Sequence, residues 1–375
     1  MLGGTEYQTL HLVKALGEGG YRVTVLCYFE YDRTMVHSME EAGAKVVLTS
    51  EEGRRPEKFT ALALALFAGL KKTLKEVRPD IVHVQYMAPG SLPILLFRLL
   101  GVKNIIATAH TPGHIYRRRW IPQFIARYLT RSFLCVSKSS EEAFFGEGAA
   151  LFSKELYARG RKHFTLYNCV EIPSPTAEKI ATKPSKPKTG KSKFTLGIVS
   201  RLSREKGVDI MLAALPAVLE RYPDTELLIV GDGAERERLL AQAETLGISH
   251  AITWVGLQPR ERLAGYYAQM DLVVVPSRFE GFGLTAIEAM ARGIPVVAAA
   301  VDGLREVIEE GVSGRLFAPE DPEALAAILL ELLEDDPRRE ALGTAGVRRV
   351  EEHFGYTRYR EAILDLYRTV GEEGE

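Results

Sequence analysis

Short apolar runs alternate with amphipathic stretches along almost the whole chain. The runs are rich in Val, Ile and Leu, and the longer segments between them carry helical periodicity and end at Gly or Pro. The runs are YRVTVLCYF, AKVVLT, DIVHVQY, KNIIATAH and SFLCVS in the first half, and FTLGIVSRL, TELLIVGDG, AITWVGL, DLVVVPS and IPVVAAA in the second. Strands that alternate with helices form parallel sheets covered on both faces. The chain is therefore predicted to be an α/β protein.

A composition break divides this alternation into two halves. Residues 171–193 are rich in Pro, Lys, Ser and Thr and have almost no apolar periodicity, which is typical of a linker. A chain of 375 residues is also too long for one typical core. We predict a Rossmann-like domain over 1–172, a linker over 173–193 and a second Rossmann-like domain over 194–352. Ligands bind such sheets at the carboxyl ends of the strands, so two domains facing a cleft suit a two-substrate enzyme.

Composition argues against several classes of protein. The formal net charge of −1 argues against a general nucleic-acid binder. Cys27, Cys135 and Cys169 lack metal-ligand spacing, which predicts reduced, mostly buried thiols in a cytoplasmic protein. No secretory signal is visible at the N-terminus, and the longest apolar stretch, FTALALALFAGL, is far short of the ~20 residues of a membrane span. This stretch is predicted to be a buried core helix, and a peripheral membrane contact is left open.

The stretch SRFEGFGLTAIEAMARGIPVV, residues 277–297, follows the predicted strand DLVVVP and leads into a helix. That helix is expected to start near Thr285 and to stop at Gly293. The first N–H groups of a helix lack partners and carry partial positive charge. Gly281 and Gly283 have no side chains, so an anion can approach the backbone closely. The pattern predicts a diphosphate site that needs no metal.

Two carboxylates flank this turn, and two cations lie before a helix that starts earlier in the chain. Glu280 and Glu288 lie eight positions apart, and because a phosphate would repel them, we predict that they accept hydrogen bonds from sugar hydroxyls, Glu288 from a ribose. The alternative is two ordinary acidic residues at a helix start. Arg201 and Lys206 follow the strand TLGIV in a loop before a helix near Gly207, where two cations can neutralise a diphosphate. The alternative for these is a pair of surface cations.

Two further patterns are less specific. The segment GDGAER from Gly231 begins like a dinucleotide-binding fingerprint, but Arg236 stands where the third glycine is required. The run of arginines at 117–119 and Trp120 could contact anionic lipid or a phosphorylated acceptor. A solvated helix face with an aromatic anchor is the alternative for that run. His83, inside the strand DIVHVQY, is predicted to be structural.

Several segments resemble, in order and spacing, the retaining GT-B glycosyltransferases of glycosyltransferase family 4. The segment EGFGLTAIEAMARGIPVVAA resembles the family's E-x7-E motif, and GIVSRLSREKGVDIML resembles its Arg/Lys clamp for pyrophosphate. The other resembling segments are GGTEYQTLHLVKALGEGGYRVTVL, ATAHTPG, LYNCVEI, LLIVGDGAERERL and DGLREVIEEGVSGRLFAPEDPEALA. The resemblance covers nearly the whole chain.

The resemblance implies a retaining transferase that moves a sugar from a nucleoside-diphosphate sugar, most commonly a UDP-sugar, to a hydroxyl acceptor. It implies a donor site in the second half, an acceptor site in the first half, and a last segment, 353–375, that crosses back onto the N-terminal domain. It also implies front-face attack by the acceptor, with neither a cofactor nor a metal ion. The acceptor, whether a sugar, a lipid or a small metabolite, is not specified.

The resemblance also implies roles for individual residues. It makes Glu280 and His110 the catalytic residues, with His110 against the donor sugar, where a satisfied loop histidine is the alternative reading. The donor-binding residues that it implies are Gly4, Arg201, Lys206, Gly281, Phe282, Gly283, Leu284, Thr285 and Glu288.

Three features depart from the family pattern. The glycine-rich loop at Gly3 and Gly4 comes almost at once, so the first strand of the N-terminal sheet is expected to be absent, which would expose strand edges. Cys169 stands where glycine is common and would be strained if φ were positive there. The segment VDGLREV has one glycine where the family often has two. A sugar-nucleotide epimerase or hydrolase on the same fold, and a non-catalytic relative, are left open as alternatives.

Overall fold

A computed structural model describes residues 4–29, 31–49, 55–85, 91–111, 118, 120–173 and 194–372. The chain forms two compact units. The N-terminal unit comprises Met1–Cys169 together with Tyr356–Glu375, and the C-terminal unit comprises Val170–Gly355. The predicted linker over 173–193 lies, apart from its first residue, outside the described residues.

The N-terminal unit alternates strands and helices as the sequence predicts. Its helices are α1 (Gly4–Glu18), α2 (Arg33–Glu41), α3 (Phe59–Val77), α4 (Ser91–Leu99), α5 (Trp120–Phe124), which continues as a π-helical turn (Ile125–Leu129), α6 (Lys138–Phe145) and α7 (Lys154–Ala158). Its strands are β1 (Thr24–Cys27), β2 (Lys45–Leu48), β3 (Val82–Gln85), β4 (Ile105–Ala109), β5 (Ser132–Cys135) and β6 (His163–Thr165). The C-terminal helix of the chain, Tyr356–Glu372, completes this unit.

The strands of this unit form two separate parallel sheets. One contains β1 and β2, and the other has the order β3-β4-β5-β6. Among the described strands, none pairs with β1 on the side away from β2, and none pairs with β3 on the side away from β4. Unpaired edges of this kind leave backbone N–H and C=O groups without partners from a neighbouring strand.

The four-stranded sheet is covered on both faces. Because side chains alternate along a strand, Ile105 and Ala107 face one side of β4 and Ile106 faces the other. The first face packs against α3, α4, the π-helical turn and α6, and the second packs against α1, α7 and the C-terminal helix. This arrangement is the two-sided cover that the near-continuous apolar strands predict.

The apolar stretch FTALALALFAGL forms most of α3, but the prediction of a buried core helix is wrong in part. Leu66 and Leu70 are buried, whereas Phe59 and Leu64 are 70% and 71% exposed. A run in which nearly every residue is apolar has no polar side to mark the solvent face, so its burial could not be deduced. Among the described residues, no helix combines the length and apolar character that a bilayer span requires.

The C-terminal unit contains one parallel sheet of six strands. Its strands are β7 (Thr195–Val199), β8 (Glu226–Val230), β9 (Ile252–Gly256), β10 (Leu272–Val275), β11 (Val296–Ala299) and β12 (Arg315–Phe317). Its α-helices are α8 (Val208–Arg221), α9 (Arg236–Thr245), α10 (Arg260–Tyr267), α11 (Leu284–Met290), α12 (Leu304–Val307), α13 (Pro322–Glu334) and α14 (Asp336–His353). The strand order, β12-β11-β10-β7-β8-β9, reverses direction between β7 and β10. Ligands of doubly wound sheets bind outside the carboxyl ends of the strands at such a reversal.

Candidate functional site

The loops that follow β7 and β10 meet at this reversal. Gly207, which ends a 3-10 turn after β7, has φ +64°, and a Cβ on it would lie 2.0 Å from the carbonyl oxygen of Pro276. The hydroxyl of Thr285 donates to the carbonyl oxygen of Val199 over 3.0 Å. These contacts place the first turn of α11 beside the end of β7, where the sequence predicts an anion site.

The loop after β8 packs against the loop after β7. A Cβ on Gly231 would lie 1.8 Å from the carbonyl oxygen of Ser200, and one on Gly233 would lie 2.3 Å from that of Leu202. The glycines of GDGAER therefore allow two backbone segments to approach closely. This packing accounts for both glycines without a bound dinucleotide.

Lys206 and Glu280 form an ion pair between the loops after β7 and β10. The Lys206 Nζ lies 2.6 Å from Glu280 Oε2, and the two side chains are 20% and 17% exposed. The hydroxyl of Ser277 lies 3.4 Å from the same carboxylate oxygen. The structure thus brings together a residue predicted to bind diphosphate and one predicted to bind the sugar.

Arg201, the second predicted cation, lies in the same loop with its side chain 59% exposed. Its guanidinium lies 3.9 Å from Glu205, four positions along the chain. Such an exposed pair contributes little stability, so an anion can compete for this guanidinium at small cost.

The segment containing Gly281 and Phe282 is fixed by its neighbours. The Phe282 side chain is 2% exposed and meets the Phe354 ring edge to face at 5.5 Å. A Cβ on Gly303 would lie 2.6 Å from the Phe282 Cα and 2.7 Å from the carbonyl oxygen of Gly281. The Phe282 side chain therefore belongs to the core, so only its backbone could serve a ligand.

Gly283 precedes α11, whose first residues are Leu284 and Thr285. It has φ +107°, and a Cβ on it would lie 2.6 Å from the Leu304 side chain. This conformation and this contact require glycine. Asp302, in the segment VDGLREV, also has a positive φ, +29°.

Both carboxylate oxygens of Glu288 have partners. Arg260 lies 2.9 Å from Oε1, and the hydroxyl of Tyr267 donates to Oε2 over 3.0 Å. Burial, followed by the charge of Glu288, raises the pKa of Tyr267 well above its usual value, so Tyr267 stays a donor. Arg292 donates to the Glu288 backbone carbonyl and lies over the Tyr267 ring, 5.0 Å from its centroid. A ribose at Glu288 would have to share or replace these bonds.

Sequence reasoning missed Arg260 and a second arginine, Arg278. Arg260 directly follows the strand AITWVGL and its turn, so the rule that identified Arg201 at a strand's carboxyl end would have found it. Arg278 binds Asp209 with two hydrogen bonds of 2.8 and 3.0 Å, tying the loop after β10 to α8. The bonds to Asp209 also raise the pKa of Arg278 above its usual value. The sequence contains no comparable signal for this pair.

The other predicted residues, His110 and Gly4, lie in the N-terminal unit. Gly4 opens α1 and is exposed. His110 follows β4, and its Nε2 lies 2.8 Å from the Gln85 side-chain oxygen, so Nε2 carries the hydrogen. Burial lowers the pKa of His110 to about 4. His83 on β3 bonds Thr108 and the C-terminal helix, and burial followed by the charge of His110 lowers its pKa to about 3.

These two histidines predict acid destabilisation of the N-terminal unit. Their pKa values are lower when folded than the ordinary 6.5, so the unfolded chain binds more protons and stability falls as pH drops below 6.5. With allowance for partial exposure, we expect the free energy of unfolding at pH 5 to be about 2 kcal/mol below that at pH 7. Denaturant titrations of a Trp254→Phe variant, in which Trp120 reports on this unit, measure the loss.

The control for this prediction compares pH slopes rather than absolute stabilities. The double variant His83→Gln/His110→Gln should lose most of the slope between pH 5 and 6.5. His37→Gln, at a side chain 71% exposed in the same unit, should keep it. A slope that survives the double variant would assign the acid sensitivity to other groups.

Cys169 does not have the positive φ that would strain it. The described non-glycine residues with positive φ are Arg78, Asp302 and Glu320, so Cys169 has an ordinary backbone conformation. Its backbone N–H and carbonyl are both bonded by the Gln8 side chain, at 3.0 and 2.8 Å. Cys135 and Cys169 are buried, as predicted.

Comparison with known proteins agrees with this geometry. The family model described as Glycosyl transferases group 1 matches residues 179–349, and the model described as Glycosyltransferase Family 4 matches residues 2–146. A D-inositol 3-phosphate glycosyltransferase from Segniliparus rotundus is 30% identical over 346 residues, which cover 86% of this chain and 74% of that protein.

A second relative and a solved structure match to different extents. A D-inositol 3-phosphate glycosyltransferase from Corynebacterium urealyticum is 38% identical over 189 residues, 48% of this chain and 44% of that protein, so this match spans less than half of the relative. The crystal structure of Anabaena HepE in complex with UDP-glucose superposes with a TM-score of 0.76 at 21% identity, covering 98% of this chain and 96% of that one. The predicted α/β architecture of two Rossmann-like domains, the GT-B fold, is confirmed. The chain is a glycosyltransferase that belongs to family 4 and carries the group 1 domain.

Proposed function

We propose that the protein is a retaining glycosyltransferase that transfers a sugar from a UDP-sugar to a hydroxyl group of an acceptor. The observation that carries the proposal is the Lys206–Glu280 pair, 2.6 Å apart, at the carboxyl ends of β7 and β10 beside the first turn of α11. UDP-glucose bound to HepE, which has the same fold, supports the choice of donor.

The leaving diphosphate would be stabilised by two cations and by backbone amides. Lys206 and the exposed Arg201 supply the positive charge, and the amides near Gly283, Leu284 and Thr285 supply hydrogen bonds at the helix start. Charge neutralisation by these groups would make a metal ion unnecessary, and we include metal-free transfer in the proposal.

The carboxylates would bind hydroxyl groups of the donor. Glu280 is placed beside Lys206, so a sugar held by Glu280 would have its anomeric carbon close to the diphosphate that Lys206 binds. Glu288 would accept from the ribose, with Arg260 and Tyr267 fixing the carboxylate before the nucleotide arrives. Such a preset carboxylate reduces the ordering that binding requires.

The catalytic role of His110 stays a prediction from the family resemblance. Its low pKa means that the imidazole is neutral at pH 7 and can donate a hydrogen bond without carrying charge. Retention is assigned to front-face attack by the acceptor, with the departing diphosphate receiving the proton of the acceptor hydroxyl.

Nucleotide binding tests the proposal. A thermal melt with UDP at ~100 times its Kd should show a stabilisation of ~2.7 kcal/mol, roughly 5 °C or more, and GDP or ADP should give less. The shift should shrink in Arg201→Ala, because an exposed cation near the diphosphate is lost while the core is untouched.

Arg348→Ala is the matched control for this melt, since Arg348 is an exposed arginine on α14. It should keep the full UDP shift. A cooperative melt that no nucleotide shifts would contradict the donor site, and a larger shift with GDP or ADP would replace UDP as the donor nucleotide.

A further inference from the structure

One side of the N-terminal unit carries an unusual concentration of exposed apolar side chains. The described part of the chain has twelve large apolar residues that are exposed. Eight of them lie on α3, α4, α5 and the π-helical turn: Phe59, Leu64, Phe67, Leu95, Leu99, Trp120, Phe124 and Tyr128. The other four, Leu151, Leu246, Leu257 and Val312, are scattered. We call the outer surface of α3, α4, α5 and the π-helical turn the apolar helix face.

The residues of the apolar helix face lie in stripes with helical spacing. Trp120, Phe124 and Tyr128 are four positions apart, and the rings of Phe124 and Tyr128 lie 5.1 Å apart. Leu95 and Leu99 repeat the same spacing on α4. Over one face of the four-stranded sheet, α3 contacts α4 and α4 contacts the π-helical turn, so the stripes lie on neighbouring helices.

The exposed side chains of the apolar helix face are not needed to complete the core of the N-terminal unit. The inward residues of α3, such as Leu66 and Leu70, already fill the contact with the sheet, whereas Leu64 and Phe67 point outward, 71% and 37% exposed. Surfaces of this kind mark interaction sites when the exposed apolar residues are contiguous.

The charges on the apolar helix face are predominantly positive. The segments 59–77, 91–99 and 120–129 contain five cations and one carboxylate: Lys71, Lys72, Lys75, Arg98, Arg127 and Glu76. Lys71 lies over the Phe67 ring at 5.9 Å, and Arg127 lies over the Tyr128 ring at 5.4 Å. The cations are therefore interleaved with the aromatic side chains rather than separate from them.

We propose that the apolar helix face docks on the surface of an anionic lipid bilayer. Leu and Phe side chains would enter the boundary of the acyl chains, Trp and Tyr would lie at headgroup level, and Lys and Arg would bind lipid phosphates. A second copy of the chain fits less well, because a two-fold contact would bring five cations against five.

Vesicle binding with Trp120 as reporter tests the proposal. In a Trp254→Phe background, Trp120 is the remaining tryptophan. We expect the protein to sediment with phosphatidylcholine vesicles that contain phosphatidylglycerol, with a blue shift of Trp120 emission, and much less with phosphatidylcholine alone. Added salt should weaken binding.

Two variants separate the apolar and the charge contributions. Leu64→Gln/Phe67→Gln and Lys71→Glu/Lys72→Glu should each weaken vesicle binding by about 10-fold or more. Val312→Gln and Arg348→Glu, exposed residues of the C-terminal unit, should leave it unchanged.

Three outcomes would overturn the proposal. They are failure to bind either vesicle, binding that the four face substitutions do not weaken, and a dimer in analytical ultracentrifugation that the same substitutions abolish. Thermal melts of each variant confirm folding, which these exposed positions should preserve.

Discussion

Gly207→Ala is expected to destabilise the C-terminal unit by about 4 kcal/mol, whereas Gly247→Ala should destabilise it by about 1 kcal/mol. The two glycines have nearly the same positive φ, +64° and +69°, so the strain that alanine meets at this angle is about the same for both. A Cβ on Gly247 meets nothing within 4 Å, but one on Gly207 would lie 2.0 Å from the Pro276 carbonyl oxygen. The difference between the variants therefore isolates the forced separation of two backbone segments.

Denaturant unfolding of the two variants in a Trp120→Phe background measures this difference, because Trp254 on β9 then reports on the C-terminal unit. Equal costs for the two variants would mean that the loops after β7 and β10 separate freely. Such freedom would also mean that these loops do not hold Lys206 and Glu280 in place.

Much of the fold was predictable because strand and helix periodicities differ. The runs DIVHVQY and AITWVGL contain β3 and β9, and the helix expected from near Thr285 begins at Leu284. The side of a helix that faces the sheet was not predictable where nearly every residue is apolar. In α3 the periodicity that would separate Leu66 from Leu64 is absent from the sequence, and only the packed sheet distinguishes them.

The candidate site shows the same limit. A cation or a carboxylate after a strand can be assigned to the carboxyl end of a parallel sheet. The rule assigns Arg201, Lys206 and Glu280 to this edge, and Lys206 and Glu280 form an ion pair there. The partners of Glu288 were not predictable, because Arg260 and Tyr267 lie on another helix and pair with it only after the chain folds. For the same reason the Phe282 side chain, which the family resemblance places in the donor site, could not be recognised as core.

Lys206→Met is expected to lower kcat/KM with the donor by about 10²–10³-fold and to weaken UDP binding about 10-fold. The lysine ammonium is the cation that a developing diphosphate charge would meet in a partly buried site, where charge-assisted bonds are strong. Arg204→Met is the matched control, since it removes the same charge from an exposed side chain in the same 3-10 turn. Equal losses of kcat/KM and UDP affinity in both variants would mean that Lys206 contributes only through the net positive charge of the region.

Glu280→Gln is expected to strengthen UDP binding and to lower turnover. Without the carboxylate, Lys206 no longer has a partner at 2.6 Å that competes with the diphosphate, so UDP should bind several-fold more tightly. Turnover should fall about 10²-fold, because an amide holds the sugar hydroxyls less strongly and no longer offsets positive charge on the sugar. Calorimetry with UDP and initial rates with the donor give the two values.

The double variant Lys206→Met/Glu280→Gln then distinguishes a working pair from a structural one. If the pair only holds the loops together, each single variant should weaken UDP binding and turnover alike, and the double variant should recover both by removing the unpaired charge. If Lys206 binds the diphosphate and Glu280 binds the sugar, the double variant should bind UDP as weakly as Lys206→Met does. Its turnover should also stay low. Because the residues act on one reacting group, the double variant should lose far less than the product of the single losses.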